Sequence, residues 1–222
     1  MKYIITICLL WFSCELSWTQ ENAVLQDPEA AKILDRVAST INSLQSMKAD
    51  FELLIEDRKE KTKNSSTGNL LLKHNKYKLI SEGSTVYFNG TTMWTYVSAN
   101  NEVTITEPSV NAADFMSNPA GFFTSYKKEF KFRFIREVNK NGILCYEIDL
   151  FPKNLNQPYS RIKVFVNKSS DLPAVISSIG KDGVDYTVIL KNTVVNQEVP
   201  DTAFSFDPAK FKKIEIIDMR GL

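Results

Sequence analysis

The stretch "PEAAKILDRVASTINSLQSMKADFELLIE", residues 28–56, changes its period part-way along, and that change decides the fold. Over 28–45, Ile33, Leu34, Val37, Ile41 and Leu44 recur at helical spacing, with Asp27 as N-cap and Pro28 at the first helical position. Beyond it, Phe51, Leu53 and Ile55 alternate with Asp50, Glu52 and Glu56, the period of a strand with one buried face. One amphipathic helix therefore leads into a sheet.

The rest of the chain keeps the second period. From "GNLLLKH" at 68 and "KYKLIS" at 76, through "TMWTYV" at 92, "EFKFRFIREV" at 129 and "SRIKVFVN" at 160, to "KKIEIID" at 212, the runs amount to about eleven or twelve short antiparallel strands. Between them Asn89-Gly90, Asn100-Asn101, Asn141-Gly142 and Asp182-Gly183 supply residues that tolerate positive φ, as hairpins require. There is no internal repeat and no linker long enough to divide the chain, so a single domain is expected. A sheet of this size curls. On one of its strands Phe130, Phe132 and Phe134 share a face, while Lys131 and Arg133 take the other. One helix cannot cover so much apolar sheet. The second available cover is "DFMSNPAGFF", residues 114–123, a short helical stretch broken at Pro119-Ala120-Gly121 whose Phe115, Met116, Phe122 and Phe123, with Tyr126, would point inward as a lid.

Composition narrows the function. The chain has 222 residues, 43% hydrophobic and 24% charged, which suits a globular domain and excludes disorder. A formal charge of +1 and a pI near 7.6 supply no field that would draw nucleic acid or an anionic membrane. Residues 1–19 read as a secretory signal peptide: Lys2, an apolar run from Tyr3 to Phe12, then Ser17 and Thr19, with cleavage expected near Thr19 or Gln20 to leave 20–222 as the exported domain. Trp11-Phe12-Ser13 is a poor context for lipidation of Cys14. The exported chain then keeps only Cys145 and has no internal disulfide. The triplets "NSS" at 64, "NGT" at 89 and "NKS" at 167 fit glycosylation acceptors but are common by chance.

No catalytic constellation stands out. His74 is the one histidine and reads more readily as a turn or rim residue than as a base or ligand; no Gly-x-Ser-x-Gly elbow, clustered metal ligands or phosphate loop is present. Glu147 and Asp149 alternate on one strand, which would suit a glycosidase pair but equally an exposed strand face. Trp94 and Tyr96 share a face, either as a ligand platform or as core. Apolar binding remains, weighed against the plainer reading that the lid aromatics are simply core.

In order and spacing, "AAKILDRVASTINSLQSMKADFELLI", "GNLLLKHNKYKL", "NGTTMWTY", "GVDYTVILKNTVVNQEVPDTAFSFDP" and "IEIID" resemble the bacterial periplasmic lipoprotein carrier family LolA, from about Ala30 to Asp218. The resemblance implies a mainly β fold with helices (α+β), a strongly curved antiparallel sheet forming an incomplete β-barrel closed by an N-terminal helix and a short helical lid. It implies a periplasmic, non-enzymatic carrier without cofactor or metal, monomeric and not binding nucleic acid. Such a carrier takes lipoprotein acyl chains from an inner-membrane lipoprotein-releasing ABC transporter and hands them to an outer-membrane acceptor. Ile33, Leu34, Val37, Phe51, Leu53, Trp94, Phe115, Met116, Phe122 and Phe132 are then the candidate lipid-cavity residues. The family's Lys-Arg-Pro turn, whose Arg helps to hold the lid, is here Lys73-His74-Asn75, which makes His74 the candidate lid latch, and the family's Asp-Gly-Lys turn becomes Asn89-Gly90-Thr91. A relative binding another amphiphile, such as a glycolipid, or sensing mislocalised lipoproteins is the alternative, and a secreted hydrolase a third.

Overall fold

The computed structural model describes residues 26–107, 115, 119 and 121–221. The signal segment with Cys14, its cleavage site, Met116 and most of the 114–121 stretch lie outside the described residues.

Pro28–Ser43 forms helix α1 and buries Ala30, Ile33, Leu34 and Val37. Asp27 caps it: Oδ1 accepts the Glu29 N–H at 2.8 Å and the Ala30 N–H at 3.5 Å. The other oxygen accepts the Phe134 N–H at 3.0 Å, and the Asp27 N–H donates to the Phe132 carbonyl at 3.3 Å. One carboxylate thus both starts the helix and fastens it to a strand more than a hundred residues away. Asp27→Ala should therefore cost about 2 kcal/mol, the upper end of the range for a cap, in urea unfolding. A loss below about 0.5 kcal/mol would show that water replaces both contacts.

Two meanders make the sheet. The first runs Met47–Asp57 (β1), Thr62–Lys73 (β2), Lys76–Ser81 (β3), Ser84–Phe88 (β4), Met93–Val97 (β5) and Glu102–Thr106 (β6). After helix α2, Phe122–Glu129, the second runs Phe130–Lys140 (β7), Ile143–Pro152 (β8), Tyr159–Asn167 (β9), Pro173–Gly180 (β10) and Val184–Val195 (β11). β11 pairs with β1 and joins the two. Glu215–Asp218 (β12) completes one curved, open sheet in the order β12-β6-β5-β4-β3-β2-β1-β11-β10-β9-β8-β7.

Two details depart from the sequence pattern. β12 lies parallel to β6, not antiparallel, because the chain after β11 crosses the outer face of the first meander before reaching that edge. β2 begins at Thr62, well before "GNLLLKH": the register Phe51↔Gly68 continues to Asp57↔Thr62, where the hairpin outruns the core and its Ser, Thr, Asn and Lys side chains meet water on both faces. Gly90, Asn101, Asn141 and Gly183 take positive φ in their turns, and so does His74, at 54°.

Candidate functional site

Cross-strand pairs assign each side chain to a face. On the inner face, Phe51 and Ala49 of β1 meet Gly68 and Leu70 of β2, Leu70 meets Leu79 of β3, and Leu79 meets Val86 of β4. Gly68 is needed here: a Cβ on it would lie 2.3 Å from Phe51 Cζ and 2.2 Å from the Ile80 carbonyl oxygen. In the second meander Phe130 and Phe132 of β7, Ile148 and Leu150 of β8, and Val164 of β9 are buried on the same face. α1 and α2 pack against β7, with Phe115, Phe122 and Phe123 forming an edge-on aromatic group beside Phe130.

Cover is uneven. Beneath the helices the described residues of this face are buried, but Leu53, Leu79, Val86 and Met93 are only partly buried at the margin of the same core. Leu79 and Val86 are cross-strand neighbours, Met93 lies on the adjoining rung and Leu53 two rungs away on β1, so among the described residues a partly buried apolar margin spans β1 to β5.

Helices α1 and α2 are tied together at one charged point. The Tyr126 hydroxyl donates to Asp35 Oδ1 at 2.7 Å, with the Ala31 carbonyl at 3.2 Å, and the Lys127 ammonium lies 2.8 Å from Asp35 Oδ2. Partial burial opposes ionisation of Asp35, yet the bonds from Lys127 and Tyr126 outweigh it and hold its pKa below the ordinary value. Burial, and next the Asp35 carboxylate, push the Tyr126 phenol well up. A carboxyl whose folded-state pKa is depressed adds stability above its unfolded value and loses it as pH falls through the folded one. The stability difference between wild type and Asp35→Asn should therefore be present at neutral pH and shrink below about pH 4. Urea unfolding at several pH values checks this, and a difference constant with pH would remove the charge from the account.

Of the candidate cavity residues, Ile33, Leu34, Val37, Phe51, Phe115, Phe122 and Phe132 are buried in one core cluster, and Leu53 sits at its margin. Trp94 lies elsewhere. It pairs with Tyr87 and Ile105, on the face opposite Met93, and its face-mate Tyr96 stacks on Phe206 and packs at a tilt against Phe211 of the C-terminal segment. That segment is clamped by Lys73 and Lys76, whose ammonium groups lie 2.7 and 2.6 Å from Asp201 and draw its pKa down to about 2. His74 occupies the β2–β3 turn and lines an open polar hollow with Gln45 and residues 197–201. Its side chain makes no hydrogen bond among the described residues, and the lid residues it would latch fall largely outside them. The tie visible between helices is Asp35–Tyr126, which no short-range pattern announces.

Glu147 and Asp149, read as acids of an exposed face, are instead almost fully buried on the outer face. Arg136 and Lys163 each lie 2.9 Å from Glu147, and Arg161 lies 2.9 Å from Asp149. Burial works against ionisation of Glu147, but Lys163 and Arg136 prevail and hold its pKa low. A glycosidase acid must keep its proton, so Glu147, paired with Lys163 and Arg136, does not suit that role, and Asp149 beside it is engaged by Arg161. No described helix is long and apolar enough to cross a membrane.

A family model described as "Outer membrane lipoprotein carrier protein LolA" matches residues 22–179, ending before β11 and β12. An uncharacterized protein of Methanocaldococcus jannaschii is 25% identical over 190 residues, covering 85% of this chain and 54% of its own length, so the chain spans about half of that curated relative. Among solved structures, an uncharacterized conserved protein from Thermus thermophilus superposes with a TM-score of 0.58 at 12% identity, covering 85% of this chain and 98% of that one. A LolA superfamily protein from Nitrosomonas europaea gives a TM-score of 0.45 at 12% identity over 80% of this chain and 98% of its own.

Proposed function

The chain belongs to the outer membrane lipoprotein carrier family LolA, and on that premise we propose that it is a periplasmic carrier that shields the acyl chains of lipoproteins between the inner and outer membranes. The observation that supports this reading is the partly buried apolar margin of Leu79, Val86 and Met93, with Leu53 further along β1, packed against the core under α1 and α2 among the described residues. Apolar side chains left partly open at one margin of an inner face offer area that a ligand can bury. An acyl chain laid along it completes the burial. Each CH₂ contributes about 0.8 kcal/mol, so a dozen contribute on the order of 10 kcal/mol before the costs of association and of ordering the cover, which leaves binding tight but reversible. The donor would be an inner-membrane lipoprotein-releasing ABC transporter, the recipient an outer-membrane acceptor, and the carrier a monomer without enzymatic activity. Trp94 has no part in this binding face; Met116 and His74 keep the lid roles assigned from the sequence.

Mass spectrometry of an extract from the natively purified protein tests the reading. Co-purified lipoprotein, or lipopeptide bearing its acyl chains, is the expected result. Glycolipid or free lipid alone would favour a relative serving another amphiphile, and no lipid of any kind would remove both.

A further inference from the structure

The sheet is split at one place. β10 pairs with β9 from Pro173 onward but with β11 only from Val175 to Ile179, and beyond Ile189 β11 keeps β1 as its described neighbour. Two local features cause the parting. Pro173 has no N–H to give to a ladder. On β11, Asn192 takes a φ of 49° in a bulge, where the register with β1 jumps from Lys48↔Val194 to Asp50↔Lys191 and turns the strand aside.

Between the start of β10 and the end of β11 this leaves a cleft of about 620 Å³, within the range of sites that hold small ligands. Ile143, Val175 and Ile189 line it from a small second hydrophobic cluster, and Leu190 of the main core and Leu172 at that core's margin line it too. Two cationic residues are among its lining. Lys191 is occupied by Glu52 at 2.7 Å. Lys140 rests its ammonium 4.4 Å from the centre of the Phe165 ring and has no carboxylate within 4.0 Å among the described residues. A largely apolar cleft lined by one cation without a carboxylate partner among the described residues is complementary to a hydrocarbon chain that ends in an anion.

We propose that this cleft is a binding site for a single-chain amphiphile with an anionic head, a fatty acid being the simplest, its chain between β10 and β11 and its carboxylate at Lys140. The site is separate from the inner-face row and does not depend on the carrier reading.

Photolabelling of the exported protein, in the form the cell produces, with a diazirine-bearing palmitic acid tests it. Adducts are expected on the peptides containing residues 170–175 and 189–195. Thr193→Trp, at an exposed wall of the cleft, should cut that labelling about ten-fold by filling the space. Lys140→Glu should cut it about five-fold for the acid while leaving labelling by the matching diazirine alcohol unchanged, which separates a head-group contact from a loss of folding. Absence of adducts from those peptides overturns the proposal, and so does cleft labelling indifferent to Thr193→Trp or equal losses for acid and alcohol in Lys140→Glu. Adducts confined to β1–β5 would overturn this site while leaving the carrier reading standing, so the two fail separately.

Discussion

Leu79→Asp is expected to weaken binding of a fluorescent fatty-acyl probe at least about 30-fold, with little change in the urea midpoint. Leu79 stands at the centre of the partly buried margin, between Leu70 on β2 and Val86 on β4. In the empty protein water still reaches it, so a carboxylate there stays solvated and the fold tolerates the change. An acyl chain laid along the row must strip that water away, and an unpaired carboxylate against hydrocarbon costs at least about 2 kcal/mol, or it must take up a proton at comparable cost. Titration of the probe at neutral pH, alongside urea unfolding, separates the two effects. Unchanged affinity would take the acyl chain off this face.

The second large effect is on stability. Phe122→Ala should lower the unfolding free energy by about 3–5 kcal/mol, because the ring is fully buried and packs edge-on against Phe123, Phe115 and Phe130, with centroids 4.9, 5.8 and 5.6 Å away. Phe122→Glu should be worse still, since it buries a charge without a partner. As a lid residue of a mobile cover, Phe122 could be changed without harm to the strands; as it sits, α2 and the first residues of β7 share one core with it. A loss below about 1 kcal/mol on Phe122→Ala would mean that α2 opens freely and contributes little to folding.

Much of this architecture is legible in residues 28–56 and their continuation. Helix α1 with its Asp27 cap and Pro28, and the strands with their Asn-Gly and Asp-Gly turns, follow from local rules that the tertiary structure does not contradict. What the pattern leaves open is which face of a strand is inside when both carry large side chains. In β5, Met93 and Thr95 alternate with Trp94 and Tyr96, and ring size favours the second pair for the interior. The inner face takes Met93 instead, because the C-terminal segment brings Phe206 and Phe211 to the outer face and gives the aromatics cover there. That cover is more than a hundred residues away in sequence.

The same distance hides the charged contacts. Tyr126 reaches Asp35 across ninety-one positions, and nothing in "FFTSYKKE" or "ILDR" alone points to the other. Glu147 and Asp149 look like solvent-facing acids until the register sets Arg136 beside Glu147 from one side and Lys163 and Arg161 close over both from the other. Periodicity marks them as facing away from the core, which is correct, but it cannot show that basic side chains from two neighbouring strands roof them over.

The carrier reading is tested most directly by incubating the purified protein with spheroplasts that hold a tagged outer-membrane lipoprotein, then separating membranes from the supernatant and passing the latter over a sizing column. The account predicts that tagged lipoprotein appears in the supernatant, co-eluting with the wild-type protein as a one-to-one complex, and stays in the membrane pellet when Leu79→Asp is used instead. Lipoprotein that remains in the pellet with wild-type protein, or that is released equally by wild type and variant, would contradict it.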